Sequence, residues 1–253
     1  STPEVAMEEQ AVRVTAPSGF CRRISARVFL QRSALAVVVA HPWGPLGGSM
    51  WDITVRQVVG TFASAGCTTA RFNFRSGFGR GYQSIEDVVL VSRYLLDEVP
   101  ESLRPKKILV VGYSYGSIAA GAAVSELPEC IGFALIAPPI DVAGPLYFWN
   151  HRALLQRIQV PIRNPSIPKF FLLGDRDQFC TVQSFNDFVE EVAEPKSAQL
   201  LPGVDHFMIF RSVSHQLTEW VRRDFGVANI KELNDIIEGQ AAAASEEADN
   251  GGR

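Results

Sequence analysis

The chain has 253 residues, 47% of them apolar and 20% charged, with 24 basic against 27 acidic side chains and a net charge of −3. That length holds one large α/β domain or two small ones. The balanced charge gives no basic surplus for nucleic acid, and apolar runs such as Leu35–Ala40 are far shorter than the roughly 20 residues of a membrane span.

The first ten residues, STPEVAMEEQ, are polar and acidic, with neither the basic nor the apolar region of a targeting segment, so a flexible N-terminus over 1–10 and a cytoplasmic location are expected. Next come AVRVTA and RRISARVFL, which alternate as half-buried strands around a PSG turn. SALAVVVAHP is a continuous apolar run, as in a central parallel strand. MWDITVRQVVGTFASAG has helical periodicity through Ile53, Val55, Val58, Val59 and Phe62. CTTARFNFR reads as a strand and SIEDVVLVSRYLLDEV as a helix, with Ser84 and Asp87 spaced like a capping box. KKILVVGYS is a buried strand leading into the small-residue helix YGSIAAGAAVSEL. Strands CIGFALIAPP, IPKFFLLGD and SAQLLPG follow, with helices VQSFNDFVEEVA and MIFRSVSHQLTEWVRRDF among them. Two antiparallel-looking strands ahead of alternating strands and helices describe an α/β fold, a mostly parallel doubly wound sheet of about eight strands with helices on both faces. The domain is expected over 11–227. A C-terminal extension over 228–253, ending in QAAAASEEADNGGR, is expected to be largely disordered.

In such sheets ligands bind at the carboxyl ends of the strands, so the loops there carry the functional reading. VVGYSYGSIAAG sets Ser114 between Gly112 and Gly116, after a buried strand and at the start of a helix. That context suits a nucleophile elbow, a turn so tight that only small residues flank the serine; a plain glycine-rich turn is the alternative. A serine nucleophile needs a base, and the base an orienting acid. Downstream, FFLLGDRDQF offers Asp175 and Asp177, and LLPGVDHFMIF places His206 in a loop after a strand. His41 and His151 precede the acids, and His215 falls within a helix pattern as a solvent-facing residue. Asp205 reads as a loop or capping residue. HPWGPLGGSM, after the strand ending at Ala40, would supply a backbone donor to a developing oxyanion. Pro42 has no N–H, which leaves Trp43, with Tyr115 as the second donor. RSGFGRG does not fit a dinucleotide loop and reads as a turn near the site mouth. Cysteines 21, 67, 130 and 180 have no CxxC or metal spacing and read as free thiols, with Cys180 near enough to the site to be accessible. No metal and no organic cofactor are expected.

Together, HPWGPLGGSM, RFNFR and GYSYGS resemble the α/β-hydrolase superfamily, in particular a group of small serine hydrolases with little or no lid, and the likeness runs over residues 11–226. The resemblance implies an α/β-hydrolase fold with Ser114 as nucleophile, His206 as base and Asp177, three residues after Gly174, as the acid in preference to Asp175. It also supports Trp43 and Tyr115 as oxyanion donors. Two departures, Trp43 where the group has a second histidine and Ser76 where it has glycine, bear on substrate preference. The interval of about thirty residues between Ala137 and Pro168 is too short for a cap domain. An open cleft is expected, walled by Tyr147, Phe148 and Trp149. The function implied is hydrolysis of small-molecule carboxylic esters or thioesters through an acyl-enzyme. The alternatives are an amide or peptide hydrolase with the same triad, or a non-catalytic binding protein on the same scaffold.

Overall fold

The computed structural model describes residues 8–17, 22–75, 81–142 and 151–250. Eight strands form one sheet: β1 (Gln10–Thr15), β2 (Arg23–Phe29), β3 (Leu35–Ala40), β4 (Thr68–Phe72), β5 (Lys107–Tyr113), β6 (Cys130–Ile136), β7 (Lys169–Gly174) and β8 (Lys196–Leu201). Their spatial order is β1-β2-β4-β3-β5-β6-β7-β8. The pairs β1–β2 and β2–β4 are antiparallel and the remaining pairs are parallel. After β3 the chain goes first to β4 on one side, then to β5 on the other. The carboxyl ends of β3 and β5 therefore flank a topological switch point, where such sheets leave a crevice.

Burial follows position in the sheet. All residues of β3, β4 and β7 are buried, because helices cover both faces. The edge strands β1 and β8 show mostly exposed or half-buried residues. The described helices are α1 (Ile53–Ser64), α2 (Tyr82–Arg93), α3 (Tyr115–Ala123), α4 (His151–Ile162), α5 (Val182–Glu190), α6 (Phe210–Asp224) and α7 (Ile230–Asn250). Of the apolar stripe expected for α1, Val55, Val58, Val59 and Phe62 are buried, each such side chain contributing about 1.5–3 kcal/mol, whereas Ile53, the first residue of the helix, is exposed. All nine residues of α3 are buried, and apart from Tyr115 and Ile118 they are all Gly, Ala or Ser. In α6, Val213, Leu217, Trp220 and Val221 make the buried face, with Trp220 stacked on Phe170 at 5.7 Å.

Three local expectations are corrected. Ser84 and Asp87 do not cap α2, which begins at Tyr82 with Gly81 as N-cap. Instead Ser84 Oγ bonds the Tyr115 hydroxyl at 2.8 Å, and Asp87 accepts from the Arg75 backbone N–H at 2.8 Å and from its guanidinium. Tertiary partners outcompeted the local cap. Nor is the segment after Gly226 unstructured. It forms α7, whose Ile230, Leu233, Asn234 and Ile237 are buried at i, i+3, i+4 and i+7. Asn234 Oδ1 accepts from the Leu35 N–H (3.0 Å) and lies 2.7 Å from Ser33 Oγ, pinning the helix to the start of β3. The alanine- and glutamate-rich end of the tail obscured this short stripe before it. Finally, Cys180 is buried, and burial pushes its thiol up to about 12. Among the described residues, no helix is long and apolar enough to cross a membrane.

Candidate active site

Ser114 follows directly on β5 and precedes α3, with φ 53° and ψ −124°. A non-glycine residue at positive φ carries of order 1–3 kcal/mol of backbone strain, held only where surrounding packing dictates it. The packing here is dense. A Cβ on Gly112 would come within 2.3 Å of the Gly116 carbonyl oxygen, and one on Gly116 within 2.5 Å of the Ala40 and His41 carbonyl oxygens. The glycines of GYSYG are thus required by close backbone approach, between the turn and α3 and between α3 and the end of β3. The turn is further tied by the Ser114 N–H to the Ile136 carbonyl at 2.8 Å and by the Ser117 hydroxyl to the Ser114 carbonyl at 2.6 Å.

The Ser114 hydroxyl meets His206 Nε2 at 2.8 Å, and His206 Nδ1 meets Asp177 Oδ2 at 2.6 Å. Three loops, after β5, β7 and β8, converge to make this chain. The other Asp177 oxygen accepts from the N–H groups of Phe179 (2.8 Å) and Cys180 (3.1 Å), so the carboxylate is fixed at both ends. His206 is held from behind by Tyr113, whose hydroxyl donates to the His206 carbonyl at 2.9 Å and whose ring stacks on the imidazole at 5.4 Å. Phe179 meets the imidazole edge-on at 4.6 Å. The other two aspartates have local duties: Asp175 Oδ1 accepts from the Gly203 N–H at 2.7 Å, and Asp205 Oδ1 accepts from the N–H groups of Phe207 and Met208. His215 is exposed on α6.

A cavity of about 100 Å³ opens above this chain. Pro42, Trp43 and Leu46 wall it from the loop after β3, with Phe179 and Phe207 on the His206 side. Trp43 therefore borders the same space as Ser114, and Tyr115 is the first residue of α3. Leu46 and Phe207 are exposed at the rim, so the cavity leads to an apolar mouth. Tyr147, Phe148 and Trp149, and the turn over 76–80, lie outside the described residues.

Sequence reasoning set His41 aside as a base but missed its role in the loop. It is buried, its Nδ1 bonds the Pro42 carbonyl at 2.5 Å, and its Nε2 accepts from the Phe74 N–H at 3.1 Å. These partners require the neutral tautomer with the proton on Nδ1. Burial lowers its pKa to about 4 against the raising effect of the Pro42 carbonyl. His41 thus ties the start of the Trp43 loop to the end of β4. A second missed residue is Asp52, which lines the cavity from the N-terminus of α1; its spacing before a helix reads only as a cap.

Comparison with known proteins agrees with this architecture. Residues 37–223 match the model of the alpha/beta hydrolase family. An uncharacterized Rickettsia prowazekii protein is 23% identical over 192 residues, covering 71% of this chain and 74% of that protein. Among solved structures, a lidless α/β serine hydrolase from Xanthomonas campestris superposes with a TM-score of 0.68 at 22% identity, covering 85% of this chain and 94% of its own. An esterase from Pyrococcus furiosus gives a TM-score of 0.69 at 20% identity, with 87% and 92% covered. At these identities the structural likeness speaks for the fold, and the family model spans the sheet from β3 to α6; the chain belongs to the alpha/beta hydrolase family.

Proposed function

We propose that this chain is a serine hydrolase acting on carboxylic esters or thioesters through an acyl-enzyme. The observation that carries the reading is the unbroken hydrogen-bond chain from Asp177 through His206 to Ser114, ending at a cavity. Ser114 Oγ attacks the acyl carbonyl while His206 Nε2 takes its proton. Asp177 keeps the His206 proton on Nδ1 and stabilises the imidazolium that forms. The N–H groups of Tyr115 and Trp43 receive the oxyanion, aided by the positive end of α3. The tetrahedral species collapses, and His206 hands its proton to the departing alcohol or thiol. Water, deprotonated by His206, then attacks the acyl-Ser114 carbonyl and releases the acid and the free serine. Likeness to a lidless serine hydrolase and to an esterase supports hydrolytic chemistry.

The test is turnover of p-nitrophenyl esters from acetate to palmitate by the wild type and Ser114→Ala in parallel, with fluorophosphonate labelling of both. The expected result is labelled, active wild type and an unlabelled variant whose rate falls by roughly 10⁴-fold or more. Equal labelling of the variant would remove Ser114 from the mechanism.

A further inference from the structure

Asp52 is an acidic group that the proposed reaction leaves unused, yet it lines the same cavity as Ser114 and His206. Its local duty is to cap α1, where its side chain accepts from the N–H groups of Thr54 at 2.8 Å and Val55 at 3.3 Å. Both bonds fall on Oδ1, so the cap does not require the second oxygen. Burial raises the carboxyl pKa, and the two capping N–H groups, the Thr54 side chain and the nearby His206 oppose that rise. Apart from Asp52 and His206, no residue lining the cavity carries an acidic or basic side chain. Asp52 thus borders the space that a substituent near the scissile carbonyl would enter, close enough to His206 for the two side chains to interact electrostatically.

The electrostatics then separate substrates by charge. An anionic substituent would meet a like charge in a partly desolvated cavity, an unfavourable arrangement. A purely apolar group would strip water from the carboxylate without replacing its hydrogen bonds. A cationic or hydrogen-bond-donating substituent would pair with it.

We propose that Asp52 is a specificity determinant: the site takes short acyl esters bearing an ammonium or other hydrogen-bond donor near the scissile carbonyl, and rejects those bearing a carboxylate there. The inference rests on the hydrolase reading above. It calls for a comparison of three four-carbon methyl esters (methyl butyrate, methyl 4-aminobutyrate and monomethyl succinate) by titration of released acid against enzyme-free controls, for wild type and Asp52→Asn. Asparagine keeps the Oδ1 acceptor and is itself a preferred cap, so the variant retains α1. Wild-type kcat/KM should follow the order cation, neutral, anion, with the succinate ester about tenfold or more below butyrate. In Asp52→Asn the anion-to-neutral ratio should rise by about tenfold and the cation-to-neutral ratio fall towards one. A mere capping role would leave both ratios unmoved. Unchanged ratios with butyrate turnover intact would overturn this inference alone. Absence of wild-type turnover on methyl butyrate and on the p-nitrophenyl esters would overturn the hydrolase reading, and the inference with it.

Discussion

Two buried polar side chains sit at opposite ends of the sheet and have opposite surroundings. Lys169, at the amino end of β7, is fully buried, and its Nζ donates to the carbonyls of Ile167 (2.9 Å), Ala193 (3.1 Å) and Pro195 (3.4 Å). An ammonium has three protons, and three acceptors meet it. His206, at the carboxyl end, is as well packed, but its hydrogen-bond chain ends on the Ser114 hydroxyl at a cavity. Burial of a polar group is thus a poor marker of function. What distinguishes His206 is a hydrogen-bond chain that ends at a cavity, beside a serine at positive φ. Three changes would break or sharpen this contrast.

The largest effect should come from Asp177→Asn. The amide cannot hold the His206 proton on Nδ1 as a carboxylate does, so kcat/KM for an ester substrate should fall by roughly 10³–10⁴-fold while the unfolding midpoint moves little. An unimpaired variant would dissolve the open chain that separates this end of the sheet from the other.

Next in size is the acid response of His41. Its folded pKa of about 4 lies below the 6.5 of an unburied imidazole. Between these values the unfolded chain binds more protons than the folded one. The stability is therefore present above pH 6.5 and is lost as pH falls towards 4, by about 3 kcal/mol. Urea unfolding across this range should show the loss in wild type. In His41→Asn that segment of the difference curve should flatten. Parallel curves would mean that folding does not depress the His41 pKa.

The smallest effect should be that of Lys169→Met, which preserves bulk but leaves three carbonyls without their donor. A loss of about 2 kcal/mol in denaturant stability is expected, with unchanged kcat/KM per folded molecule. A fall in kcat/KM without loss of stability would show that the amino end of the sheet takes part in activity.

How far the sequence could be read varies by element. The buried strands were legible because apolar runs bounded by turns leave few alternatives. The order Ser114, Asp177, His206 was legible because each candidate follows a strand. The choice between Asp175 and Asp177 was not decided by spacing alone. It came from a family resemblance, and in the fold Asp175 is occupied by the Gly203 N–H while Asp177 reaches His206. Ser84 and Asp87 misled because a local cap pattern says nothing of competitors, here Tyr115 and Arg75, distant in sequence or in another element. Helix α7 was missed because its buried stripe is only two turns long and precedes a tail of small and charged residues.

The sequence by itself determined the sheet, most of the helices before α7 and the turn at Ser114, because periodicity, glycine spacing and chain order are local properties written along one dimension. Only the tertiary structure decided which polar groups meet. Distances such as 2.6 Å between His206 and Asp177, the neutral tautomer of His41 between Pro42 and Phe74, and the presence of Asp52 in the cavity arise where loops from different strands converge. Hydrogen bonding and desolvation depend on what stands within a few ångströms in space, and that neighbourhood exists only after the chain has folded.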